Sequence, residues 1–212
     1  MITIRSEKPE DSAFVYAVIE KTFKRDAEAK LAEKLRRNCA DHLSLVAENN
    51  GTIVGHIMFT PVMIQNGKEI QGMGLAPMAV LPSMQRKGIG TMLIRAGLKT
   101  LKKKGCPFVI VLGHPEYYPR FGFQPASILK IKSQWDGVPD EAFMIKILDH
   151  RPCRMCQESL LSETNSTNHS ENDSLFSLCK ESVLTTEQIK IILEITYTIC
   201  ENRGYNYSEF FL

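Results

Sequence analysis

The stretch GLAPMAVLP, residues 74–82, is almost wholly apolar and runs directly into MQRKGIGTMLIRAG, residues 84–97. A strand of that composition must be covered on both faces. The segment behind it has helical periodicity. Ile89, Met92, Leu93, Ala96 and Leu101 recur at helical spacing, and Arg95, Lys99, Lys102 and Lys103 lie off that stripe. Gly105 and Pro107 end the helix, which therefore begins near Gly88. Its first amides have no acceptors within the helix, and the helix dipole adds partial positive charge there. Gly88 and Gly90 keep side chains out of that approach, while Arg86 and Lys87 add two cations. Strand, glycine turn and bare helix end together predict an anion site suited to a diphosphate. A glycine pair that merely tightens a turn would give the same local pattern. The Gly-Lys-Ser/Thr of a P-loop is missing, and so are the three glycines and following acid of a dinucleotide fingerprint.

The elements before this unit follow from pattern. MITIRS alternates like a short strand, and Pro9, Glu10 and Asp11 open a helix through about Phe23. A second helix is predicted over 27–38. LSLVAE and TIVGHIMF form a hairpin across Asn49-Asn50-Gly51. Asn66-Gly67 repeats the signal between PVMIQ and a strand starting near Lys68. A net charge of +2 over 212 residues gives no argument for nucleic acid or an anionic membrane as the main partner. No apolar run reaches transmembrane length and no signal-peptide core follows the first Met, so the expectation is a cytoplasmic protein whose six scattered cysteines are reduced.

After the helix, CPFVIVLG, residues 106–113, predicts a buried strand. HPEYYPRFGF follows, read as a short helix interrupted by Pro119 with a turn at Gly122. Tyr117, Tyr118, Phe121 and Phe123 crowd into seven residues, enough to form an aromatic lid on the sheet's end.

QRKGIG, Gln85 to Gly90, resembles the Gln/Arg-x-x-Gly-x-Gly/Ala signature of the GCN5-related N-acetyltransferases (GNAT). GLAPMAVLPSMQRKGIGTMLI followed by VIVLGHPEYYPRFGFQPA is similar to the bacterial branch called YhbS-like. The resemblance covers roughly residues 1–150. It implies an α+β fold with a central mixed, mostly antiparallel twisted sheet flanked by helices. It implies acetyl-CoA as cosubstrate, with Gln85, Arg86, Lys87, Gly88, Ile89, Gly90 and Thr91 around the diphosphate. The family's aromatic-Tyr-x-x-x-Gly-Phe pattern puts Tyr118 in the slot of the acid that protonates the departing thiolate.

That role has chemical sense. An amine attacks the thioester, a tetrahedral oxyanion forms, and CoA leaves as a thiolate that gains from a nearby proton donor. A strand amide around Met78, Ala79 and Val80 is the candidate donor to the oxyanion. The base that frees the amine is open between His114, Glu116, Glu48, Glu69, and water with no dedicated residue.

Composition shifts near residue 150. SETNSTNHSENDS, Ser162 to Ser174, holds no apolar residue and reads as a polar linker or loop within 151–174. Cys153 and Cys156 form one CxxC. A zinc centre needs four ligands, and His150, His169 and Cys179 could complete one only if the linker folded back, so no metal is expected. Within 175–212, Thr185 and Gln188 make a capping box, and Ile189, Ile192, Ile195 and Ile199 a stripe that must bury against the chain's own surface, a second copy or a protein partner. Two functions fit: acetyl transfer from acetyl-CoA to a primary amine, or a catalytically silent acyl-CoA-binding module that engages a partner through 175–212.

Overall fold

A computed structural model of the chain describes residues 1–65, 69–133 and 137–149. The Asn66-Gly67 turn, the polar linker, the CxxC and the C-terminal stripe lie outside the described residues. In chain order come β1 (Ile2–Ser6), α1 (Ser12–Phe23), α2 (Ala27–Asn38), β2 (Leu43–Asn49), β3 (Thr52–Gln65) and β4 (Glu69–Val80). Then follow α3 (Ile89–Lys103), β5 (Phe108–Leu112), β6 (Gln124–Pro125) and β7 (Phe143–Ile147). The strands described form one mixed sheet in the order β1-β2-β3-β4-β5-β7-β6, antiparallel at every junction except β4–β5.

The sheet is buried on both faces, as the apolar β4 run requires. On one face Val15, Val18, Ile19, Ala29 and Ala32 of the first two helices pack over Val46, Ala79 and Ile110. On the other, Ile89, Leu93, Ile94 and Leu101 of α3 pack over Ile57, Phe59 and Val109. Met92, expected on the stripe, is instead exposed, and Gly97 and Leu98 complete the buried side. Gly97 is there because α3 lies close to β3: a Cβ on it would sit 2.3 Å from the Phe59 ring. No helix among the described residues is long and apolar enough to cross a membrane.

Two stretches predicted as separate pieces merge. TIVGHIMF and PVMIQ are one strand that passes through Pro61. β2 reaches β3 only as far as the Leu43–Phe59 pair, so Pro61 faces β4 alone, and its missing N–H interrupts no ladder on the open side. Likewise the strand starting near Lys68 and GLAPMAVLP are one β4. Its parallel ladder with β5 consists of Met73–Val109 and Gly74–Ile110. Beyond Gly74, β4 carries Pro77 and no longer pairs with β5.

Candidate active site

The part of β4 that no longer pairs with β5 leads into the glycine turn. Val80 closes β4, and its carbonyl accepts from the Gln85 side-chain amide at 3.0 Å and from the Thr22 hydroxyl of α1 at 3.2 Å. The turn is therefore tied to both the sheet and the first helix. Arg86 and Gly88 both have positive φ, 61° and 80°. Gly88 is the N-cap of α3, and a Cβ there would meet open space, so its glycine is required by backbone conformation and not by crowding.

Gly90 has a different reason. A Cβ built on it would lie 2.6 Å from the Tyr117 hydroxyl and 3.9 Å from the Met78 Cε. Three segments thus meet at the first turn of α3: the end of β4, the glycine turn and the loop after β5. The helix end has no capping side chain and no acid in its first turn. Met92 N donates to Gly88 O at 3.0 Å, so the amides of Ile89, Gly90 and Thr91 precede the first helical hydrogen bond. Arg86 is exposed beside them. Lys87 is also exposed, with its ammonium folded back on Ser83 O at 3.1 Å.

The aromatic loop is organised by β5. Tyr117 N and Tyr118 N both donate to His114 O, at 3.0 and 3.4 Å. Tyr118 is 4% exposed, and its ring lies on Gly113, where a Cβ would come within 2.2 Å. It meets Tyr117 and Phe123 edge-on, with centroids 5.2 and 5.7 Å apart. The helical turn begins at Pro119 and is not interrupted by it; Pro119 takes the first position, where its lost N–H costs nothing. Arg120 stacks its guanidinium 4.0 Å above the Tyr117 ring centroid.

Of the base candidates, His114 is buried directly behind β5 and Glu116 is exposed. Glu48 accepts from Arg5 Nε at 2.7 Å on β2, two strands from β4. Glu69 begins β4, at the opposite end from Val80. Neither Glu48 nor the Glu69 backbone is brought to the glycine turn. The sequence places Tyr117 only in an aromatic lid and does not single out Arg120; the contact of Tyr117 with Gly90 and the Arg120 stack come from the structure, with the Tyr-Tyr pair and the cation three residues on as the available signal. Among the described residues no group of His, Cys, Asp and Glu is arranged to hold a metal ion.

The family model for the acetyltransferase (GNAT) domain matches residues 3–126. The chain belongs to the GNAT acetyltransferase family. The expectation of an acyltransferase on this fold is thereby met. The chain is 36% identical over 143 residues to the uncharacterized N-acetyltransferase YhbS of Escherichia coli K12, a match covering 67% of this chain and 84% of that protein. A solved structure of Escherichia coli YhbS in complex with CoA superposes with a TM-score of 0.69 at 29% identity, covering 87% of this chain and 89% of that one. A GNAT acetyltransferase from Brucella melitensis in complex with acetyl-CoA gives 0.59 at 35% identity, covering 70% and 89%.

Proposed function

We propose that this GNAT protein transfers the acetyl group of acetyl-CoA to a primary amine by direct attack within a ternary complex. One observation carries the reading: an uncapped, acid-free α3 N-terminus follows the part of β4 that no longer pairs with β5, with Met78 and Tyr117 meeting over Gly90. Relatives solved with CoA and with acetyl-CoA support the choice of cosubstrate.

In this reading the amides of Ile89, Gly90 and Thr91 hold the diphosphate, helped by Arg86, Lys87 and the polar Gln85 turn. Their charge complements a dianion, and the oriented dipoles need no rearrangement to do so. The pantetheine arm follows the edge of β4 where the β5 ladder has stopped. A backbone amide within Met78–Val80 points into that gap and donates to the oxyanion as the amine adds. The amine nitrogen forms its bond to the carbonyl carbon, the C–S bond breaks, and Tyr118 gives its phenolic proton to the thiolate. Gly113 fixes the ring of Tyr118, so the phenol is positioned by packing rather than by a flexible loop. The reaction takes place in the cytoplasm.

Gly90→Glu tests the cofactor assignment. It puts a carboxylate at the first turn of α3, where the diphosphate belongs, and its Cβ displaces the Tyr117 hydroxyl. Calorimetry should show acetyl-CoA affinity reduced more than tenfold, a loss above ~1.4 kcal/mol, in a variant whose circular dichroism is that of the wild type. Unchanged affinity would refute the site. Tight acetyl-CoA binding by the wild type, with no thiol released in the presence of any amine, would favour the silent binding module.

A further inference from the structure

On the α1–α2 face of the sheet a polar cluster interrupts the apolar core. His56 on β3 is fully buried, and its Nε2 lies 2.8 Å from Ser44 Oγ on β2. Ser44 Oγ donates to Glu7 Oε2 in the turn after β1. Arg36 of α2 holds the other Glu7 oxygen at 2.6 Å and reaches Ser12 Oγ at 3.2 Å.

The donor inventory fixes the direction of this chain. A carboxylate only accepts, so the Ser44 proton points to Glu7, and the Ser44 oxygen must accept from His56. That requires the Nε2–H form of the imidazole. Nδ1 is then a bare lone pair, and it is buried with no hydrogen-bond partner. A buried acceptor without a donor is costly, so the position calls for a water or a proton.

His56 stands opposite Ala79 in the β3–β4 ladder, and both side chains point to the same face. Ala79 lies within the stretch assigned to the oxyanion. We propose that Glu7, Ser44 and His56 form a buried proton relay whose open end, Nδ1 of His56, takes the acceptor amine's proton through a bound water. This rests on the acetyl-transfer reading above.

The proton balance is simple. The N–H bond of the attacking amine breaks, the water passes a proton on, and an Nδ1–H bond forms. The resulting imidazolium donates through Nε2 to Ser44, whose hydroxyl stays on the Glu7 carboxylate. The proton returns to solvent after the amide has left. The charged and titratable groups around His56 are Glu7, Arg36 and His42. His56 is a positioning and relay residue, since it acts through water.

Two variants and two readouts test the relay. The first is the pH profile of kcat, followed by CoA thiol release from acetyl-CoA with benzylamine and with spermidine. His56→Gln keeps a donor to Ser44 but holds no proton. It should lower kcat at neutral pH by about 10²-fold, at the low end for positioned proton transfer, abolish the acidic limb, and leave acetyl-CoA affinity within twofold. Ser44→Ala retains the imidazole and its direct 3.5 Å approach to Glu7 Oε2, but removes the hydroxyl that bridges the two. The imidazolium then loses support, so the acidic limb should move to lower pH with a loss of about fivefold to tenfold.

The second readout is nitrogen NMR of the wild-type imidazole, which needs no turnover. It should show the neutral Nε2–H form at pH 7. An Nδ1–H form overturns the relay directly. Variants with wild-type pH profiles overturn the relay alone, leaving acetyl transfer standing. A wild type that binds acetyl-CoA yet releases no thiol takes down the transfer reading, and the relay with it.

Discussion

The two neighbouring tyrosines show how adjacent residues of one chemistry come to different fates. Tyr117 turns its hydroxyl to Gly90 and carries Arg120 on its ring face. Tyr118 goes inward onto Gly113. Only the second is buried, which suits the proton donor of the proposed mechanism. Tyr118→Phe removes the hydroxyl and keeps the packing. The interaction with the thiolate exists only as the thioester breaks, so kcat should fall while acetyl-CoA affinity holds. A thiolate is already a good leaving group, and the loss should be about 10²-fold, at the low end for proton transfer. A Phe variant with the wild-type rate across the pH profile would make Tyr118 a packing residue.

At the scale of elements, α3 and β3 depend on a close approach at Gly97. Alanine there would gain helix propensity, worth up to about 1 kcal/mol. Its Cβ would also enter the Phe59 ring, which is fully buried and has no room to move. Overpacking of this kind costs roughly 1–3 kcal/mol, so it outweighs the propensity gain. Gly97→Ala should unfold at lower denaturant than the wild type; a higher midpoint would show that α3 can slide on the sheet. The same helix marks what was legible beforehand. Its bounds could be read because periodicity, flanking glycine and proline are local, and those of α2 from periodicity alone. The exposure of Met92 could not, since it depends on where β3 lies. Nor could the continuity of β3 through Pro61, which is permitted only because β2 stops at Leu43. The glycine turn was legible from its own residues, but the contact of Tyr117 with it needs β4 and β5 to be neighbours. The Glu7–Ser44–His56 chain joins the turn after β1, the start of β2 and the interior of β3, and leaves no spacing signal.

Across the whole molecule, charged networks tie the first helices to the sheet edge. Arg5 bridges Asp11 and Glu48, and Glu7 joins Arg36, Ser44 and His56. Burial alone would raise the Glu7 carboxyl, but the hydrogen bonds from its neighbours and the Arg36 charge outweigh it and hold the group below its ordinary 4.5. Asp11 is held low chiefly by the Arg5 hydrogen bond. Burial pushes His56 below 6.5, against the pull of Glu7. All three bind protons more readily once unfolded, so each adds stability that is present above its unfolded value and lost as pH falls. Thermal melting should begin to drop below about pH 6.5 through His56 and drop further below about 4.5 through Glu7 and below about 3.8 through Asp11. His56→Gln should remove the upper part of that decline. A melting temperature flat from pH 7 to pH 5 in the wild type would overturn this account of His56.

The sheet is joined across its middle by two parallel residue pairs, Met73–Val109 and Gly74–Ile110. It is in effect two slabs sewn by a short seam, and beyond the seam no ladder joins β4 to β5. In the proposed reading, the cosubstrate lying there does more than wait to react. It stands in for a missing strand, so occupancy ties the two slabs together. The cell's supply of the cosubstrate then becomes a term in the protein's folding equilibrium, and starvation for it is felt as loosened architecture before it is felt as lost turnover.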